Sequence, residues 1–185
     1  MRTRRAGQSA LLLLDAIEIL EKEGIAYAVV GAMAASVHGV IRASVDADAL
    51  LSVTVRQLGD LQQRFAAAGL VTDLRRGGID DPIAAMLVLS DSFQNRVDLL
   101  VGLRGLEPEA FARAIEVTFK GAPLRVVCIE DFIAMKVFAG GPQDVRDAER
   151  ALAIANNSID SELLLRLAAR YGRTTLEDLK KLMSI

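Results

Sequence analysis

Thiol and imidazole groups are nearly missing from this chain, since Cys128 and His38 each occur once. A lone cysteine excludes an internal disulfide and a cysteine-built metal cluster, and a lone histidine excludes a histidine-built one. Cys128 falls in the apolar run Leu-Arg-Val-Val-Cys-Ile and reads as a buried strand thiol, while His38 reads as a helix-end packing or capping residue. Long apolar runs are missing too: none approaches the roughly 20 residues that a membrane span needs. The opening Met-Arg-Thr-Arg-Arg and the leucines 11–14 faintly imitate a secretion signal, but Asp15 and Glu18 interrupt them and no small-residue cleavage site follows. A cytoplasmic protein with no membrane partner is therefore expected. Nor does one sign of charge dominate, with 22 basic against 24 acidic residues and a formal net charge of −2. That argues against non-specific coating of nucleic acid and leaves room for a local basic patch.

Core-forming material is plentiful, since 52% of the 185 residues are hydrophobic, which suits one domain or a domain with a small helical appendage. The apolar spacing of Leu12, Leu13, Ala16, Ile17 and Leu20 predicts a helix over 9–23, capped by Ser9 and ended by Gly24. A strand over 26–30 follows, then a sharp turn at Gly31 and a helix of small residues over 32–38 closed by Gly39. A strand over 46–53 leads to Thr54, a good cap for a helix running to 68, and a strand near 70–74 comes next. Arg75 and Arg76, before two glycines, read as an exposed loop and as the first candidates for RNA contact. Strands over 83–89 and 96–101 form a hairpin, a helix covers 107–116, and a second hairpin joins 117–120 to 124–128. From Glu130 onward the pattern is helical, broken at 140–142, 156–157 and 172–173. No internal repeat or low-complexity segment is visible. The expectation is an α+β fold with a mixed β-sheet flanked by helices over 1–129, and a C-terminal helical region over 130–185 packed on that core.

The chemistry concentrates in the segment Gly31-Ala-Met-Ala-Ala-Ser-Val-His-Gly-Val-Ile-Arg-Ala-Ser-Val-Asp-Ala-Asp48. Side chains alternate along a strand, so Asp46 and Asp48 share one face, where like charges need a cation or proton between them. Asp98, within Arg96-Val-Asp-Leu-Leu-Val, is a mid-strand charge among apolar neighbours and also needs a partner. If its strand lies beside 46–53, the three carboxylates make a hard oxygen site suited to Mg2+, and such a site supports two-metal nucleotidyl transfer. Asp98 would then act near the attacking hydroxyl. Gly31 permits close backbone approach to a triphosphate, and Arg42 and Ser44 could add a guanidinium and a hydroxyl to the same phosphates.

These residues, followed by Glu130-Asp-Phe-Ile-Ala-Met-Lys136-Val-Phe-Ala-Gly-Gly-Pro-Gln-Asp144-Val-Arg-Asp147, resemble the nucleotidyltransferase (polymerase beta-like) superfamily, and within it the AbiEii-type toxin nucleotidyltransferases. The resemblance implies a nucleotidyltransferase-like fold and an enzyme that moves a nucleotide from an NTP to an acceptor hydroxyl. That acceptor could be a tRNA 3′ end or another RNA, in a toxin–antitoxin setting with a cognate protein partner. It further implies that Asp46, Asp48 and Asp98 hold Mg2+, and that Gly31, Ala32, Arg42 and Ser44 handle phosphates. Lys136 would help to hold the nucleotide, and Asp144 or Asp147 would order its segment. Ala32 stands where the family usually shows Gly or Ser, and Gly141 and Gln143 stand where arginine and lysine are common. Two alternatives follow: a weakened nucleotide-binding regulatory or antitoxin module, and a nucleotidyltransferase acting on a protein or small molecule.

Overall fold

The computed structural model describes residues 1–184, with Asn157 described by its backbone only. Helix α1 (Ser9–Lys22) buries Leu12, Leu13, Ala16, Ile17 and Leu20 and lies against the strands β2 (Asp46–Leu51) and β5 (Arg96–Leu103). Strand β1 (Tyr27–Val30) is wholly buried and runs directly into α2 (Gly31–Val37). Helix α3 (Val55–Ala67) starts at Thr54, whose hydroxyl accepts from the Gln57 N–H while the Gln57 side chain accepts from the Thr54 N–H, a closed capping box. It packs on β3 (Val71–Arg76) and β4 (Ile83–Ser90), and a short α4 (Ala110–Arg113) precedes β6 (Ile115–Phe119) and β7 (Ala122–Val126).

The seven strands form one sheet in the order β3-β4-β5-β2-β1-β7-β6. The β2–β5 and β1–β7 pairs are parallel and the rest antiparallel, so the sheet is mixed, as expected for an α+β chain. Ala47, Ala49 and Leu51 of β2 are buried with Val97 and Leu99 of β5, and the intervening residues of both strands face the other way. Four helices complete the chain: α5 (Ile129–Ala139), α6 (Pro142–Ala155), α7 (Ser161–Tyr171) and α8 (Arg173–Leu182). Helix α5 packs against the other three. Leu164, Leu167, Ala168 and Leu179 join the same buried cluster as Leu12 and Leu99. Between the sheet half and these helices lies an ionic cluster built on two buried carboxylates, Glu107 and Asp131. Arg113 donates to Glu107 and, through two nitrogens, to Asp131, and Arg166 donates twice to Glu107. Hydrogen bonds from Arg166 and Arg113 outweigh burial and hold the Glu107 carboxyl down at about 2.

Three expectations about local structure need correction. Arg75 and Arg76 are not in a loop: β3 continues through them, paired with Met86 and Ala85, because the antiparallel ladder to β4 outweighs their weak strand preference. The helix expected over 107–116 shrinks to the single turn of α4, since Ile115 and Glu116 are taken by the ladder to Val126 and Arg125. The second hairpin turns at Lys120 and Gly121, both with positive φ (51° and 80°), a two-residue turn that draws Ala122 and Pro123 into β7. Cys128 therefore lies past the strand, at the N-terminal boundary of α5, although its thiol is buried as expected. Among the described residues no helix is long and apolar enough to cross a membrane.

Candidate active site

Strand register assembles the acids. In the parallel β2–β5 pair, Asp48 lies opposite Asp98 and Asp46 opposite Arg96, all four on one face. One carboxylate oxygen from each of Asp46, Asp48 and Asp98 lies within 4.8 Å of the others. The spatial neighbourhood on which the sequence argument depended is thus present.

Each acid has a different environment. Ser44 Oγ donates to Asp46 Oδ1 at 2.6 Å. The Arg96 fork donates through Nε and Nη2 to the two oxygens of Asp98, each at 2.7 Å. Asp48 has no side-chain donor among the described residues, and burial, reinforced by the charges of Asp46 and Asp98, pushes its carboxyl up to about 6. Lys136 and Arg42 pull it the other way without prevailing. Gly31 is needed for Asp48 to sit where it does. A Cβ at Gly31 would lie 2.1 Å from Asp48 Oδ2, and its φ of 64° is one that side chains avoid. Three hard, anionic oxygen donors, of which only Asp98 is ion-paired among the described residues, are a donor set that fits Mg2+.

Behind the acids is a second polar node. Asp147, fully buried on α6, accepts from Arg42 Nη1 at 2.9 Å and Gln143 Nε2 at 2.8 Å, and lies 3.3 Å from Lys136 Nζ. Burial alone would push its carboxyl up, but these hydrogen bonds and the Lys136 charge hold it below the usual range. Lys136 Nζ also donates to Asp144 Oδ1 at 2.6 Å. Of the residues expected at phosphates, Arg42 is thus engaged by Asp147 and Ser44 by Asp46, and Ala32 is buried in the first turn of α2. His38 stays apart from the acids: its Nε2–H donates to the Val127 carbonyl at 2.9 Å, and burial lowers its pKa. Arg75 pairs with Asp73 at 2.7 Å. The fork of Arg96 emerges only in the structure, although its spacing of two from Asp98 carries the signal, and Gln143, at a place where lysine is common in the resembled family, donates to Asp147.

Two cavities adjoin these residues. One of about 660 Å3 runs past Ala32, Met33, Ser36, Arg42, Ser44 and Asp46 toward Phe119. The other, about 200 Å3 and apolar, lies on the acid-bearing face between Leu50, Leu100, Phe132 and Met135, with Gly31 and Lys136 at its edge.

The fold recurs in solved structures at low identity. The antibiotic-resistance factor ANT(2'')-Ia in solution superposes with a TM-score of 0.60 at 14% identity, over 94% of this chain and 96% of that one. The crystal structure of ANT(2'')-Ia in complex with adenylyl-2''-tobramycin gives 0.56 at 15% identity, over 87% and 95%. The lincosamide antibiotic adenylyltransferase LnuA, lincomycin-bound, gives 0.50 at 12% identity, over 82% and 99%. No curated protein matches the sequence. The family that does match, over residues 10–182, is described as "Nucleotidyltransferase of unknown function (DUF6036)", so the superfamily resemblance stands while the matching family is not the AbiEii type. Because that match runs from the first turn of α1 to the end of α8, the chain belongs to the DUF6036 family of nucleotidyltransferases.

Proposed function

We propose that this chain transfers a nucleotidyl group from an NTP to a hydroxyl of a small-molecule acceptor, using Mg2+ bound at the cluster of Asp46, Asp48 and Asp98. The observation that carries the reading is the convergence of those three carboxylates within 4.8 Å on neighbouring parallel strands, with Asp48 in no ion pair among the described residues. The acceptor oxygen attacks the α-phosphorus, a new P–O bond forms, and the bond to the β-phosphate bridging oxygen breaks with its electron pair leaving on pyrophosphate. Asp98, nearest the hydroxyl, accepts its proton. The metal, when bound, offsets triphosphate charge and lowers the hydroxyl pKa. Gly31 keeps the turn bare for the phosphates, and Lys136, with Asp144 as its tether, supplies positive charge at their edge. In this reading residues 1–129 form the acid-bearing unit and 130–185 a helical unit that brings Lys136 to it, in a cytoplasmic protein supplied with NTPs.

A small acceptor is favoured by the structural neighbours, one solved with adenylyl-2''-tobramycin and one with lincomycin, and by a cavity of about 660 Å3, a size that suits such ligands. An RNA acceptor, such as a tRNA 3′ end in a toxin–antitoxin pair, is the second reading, and its support is the exposed Arg75 and Arg76 on the edge strand β3. Purified protein incubated with each labelled NTP and Mg2+ distinguishes them, given a panel of small hydroxyl compounds in one arm and total RNA in the other. Label in a small product supports the first reading, and label in RNA supports the second. Mg-NTP binding by calorimetry with no transfer to any acceptor would overturn transfer and leave a regulatory nucleotide-binding module.

A further inference from the structure

The acid face contains a cation of its own. Register sets Arg96 directly opposite Asp46 and two residues before Asp98, so the four corners of the site are three carboxylates and one guanidinium. The charge of these corners is therefore −3 + 1 = −2. The guanidinium cannot give up its proton in a protein, so this positive charge is permanent. Its fork engages both oxygens of Asp98 at 2.7 Å. Asp46 receives only the Ser44 hydroxyl and Asp48 no side-chain donor among the described residues.

Two-metal transfer uses one ion beside the triphosphate and another beside the attacking oxygen. A divalent ion added at Asp98 would have to displace the fork or share the carboxylate with a charge of its own sign. A single dication between Asp46 and Asp48, by contrast, neutralises the remaining −2. We propose that Arg96 takes the place of the second divalent ion, so that the site works with one Mg2+ held by Asp46 and Asp48 and with the guanidinium fixed beside Asp98. The inference rests on the nucleotidyl-transfer reading above. It makes Arg96 a positioning residue, which orients Asp98 toward the acceptor hydroxyl.

Native mass spectrometry of the chain with Mn2+ and a non-hydrolysable NTP analogue counts ions per complex without any turnover. Wild type should carry one Mn2+ per chain–analogue complex, Arg96→Gln two, and Arg96→Lys, which keeps the charge and loses the fork, one. Asp46→Asn should weaken Mn2+ binding at least tenfold, while Asp98→Asn should change it less than threefold. Two ions in the wild type, or the same count in wild type and Arg96→Gln, would overturn the inference and leave the transfer reading intact. Ion binding that ignores Asp46→Asn, or no analogue bound by the wild type, would overturn that reading itself. Circular dichroism of each variant establishes that the fold is retained.

Discussion

Asp48→Asn should stabilise the metal-free protein, and by an amount that grows with pH. The Asp48 carboxyl sits at about 6 in the folded chain against an ordinary 3.8, mainly through burial and then through Asp46 and Asp98. A carboxyl raised on folding binds more protons in the folded state, so its contribution is unfavourable above both values and vanishes below the unfolded one. Stability is thus lost as pH rises from about 4 through 6. A shift of roughly 2.2 units corresponds to ~3 kcal/mol at full ionisation, of which about 1.4 kcal/mol develops between pH 5 and pH 8. Other groups titrate in that window, so the quantity to measure is the gap between Asp48→Asn and wild type in urea unfolding with EDTA present. That gap should widen in favour of the variant by about 1.4 kcal/mol from pH 5 to pH 8. Saturating Mg2+ should raise the wild-type midpoint and leave the variant's nearly unchanged. A gap that stays flat with pH would refute the assignment of a half-buried carboxylate without an ion-pair partner at Asp48.

Gly31→Ala should fold, as circular dichroism would report, yet lose transfer by about 100-fold or more, because the added Cβ must push the Asp48 carboxylate out of line. Retained kcat in that variant would show that Asp48 does not need this position. Glu107→Gln should cost about 2–3 kcal/mol in urea unfolding at pH 7, since a carboxyl held at about 2 by Arg166 and Arg113 loses both ion pairs. Because the folded value lies below the unfolded 4.5, that cost should shrink as pH falls from 5 toward 3, and a cost independent of pH would contradict it. Cys128, buried and with its thiol pushed up to about 12 chiefly by burial, should resist a thiol-disulfide reagent at pH 8 until urea unfolds the chain. Rapid labelling of the native protein would count against that burial.

The acids were legible in the sequence because strands have a period of two. Asp46 and Asp48 declare a shared face without knowledge of any neighbour, and Asp98 declares itself as a charge where only apolar residues otherwise occur. What the sequence could state only conditionally was that β5 lies beside β2. The intervening β3 and β4 are placed outside β5, a long-range arrangement that no local pattern encodes. The same limit explains the local errors. Residues 107–114 carry helix formers, but Ile115 and Val117 are claimed by a ladder to β7, and Arg75 and Arg76 follow β4 rather than their own preference. Lys136 could be picked out from its helix, yet its engagement by two acids at once depends on how α6 turns back at Gly140 and Gly141. Arg96 was readable in principle, because a residue two before Asp98 must share its face.

The two buried carboxylate nodes do different work in joining the helices to the sheet. Glu107 and Asp131 tie Arg113 and Arg166 together away from the acid triad, so they can anchor α5 and α7 to the core without touching the chemistry. Asp147 ties Lys136 of α5 to Arg42, in the segment that leads within four residues to Asp46. A buried ion pair adds little net stability compared with apolar packing, and its larger effect is to demand one geometry. The demand here falls on the two cations nearest the acids, because Arg42 and Lys136 are the charges that draw the Asp48 carboxyl back down. Any shift of α6 would therefore move both of them relative to Asp48 and change how readily it ionises. Asp147, although it need never meet a nucleotide, thus couples the placement of the helical half to the charge state of the site.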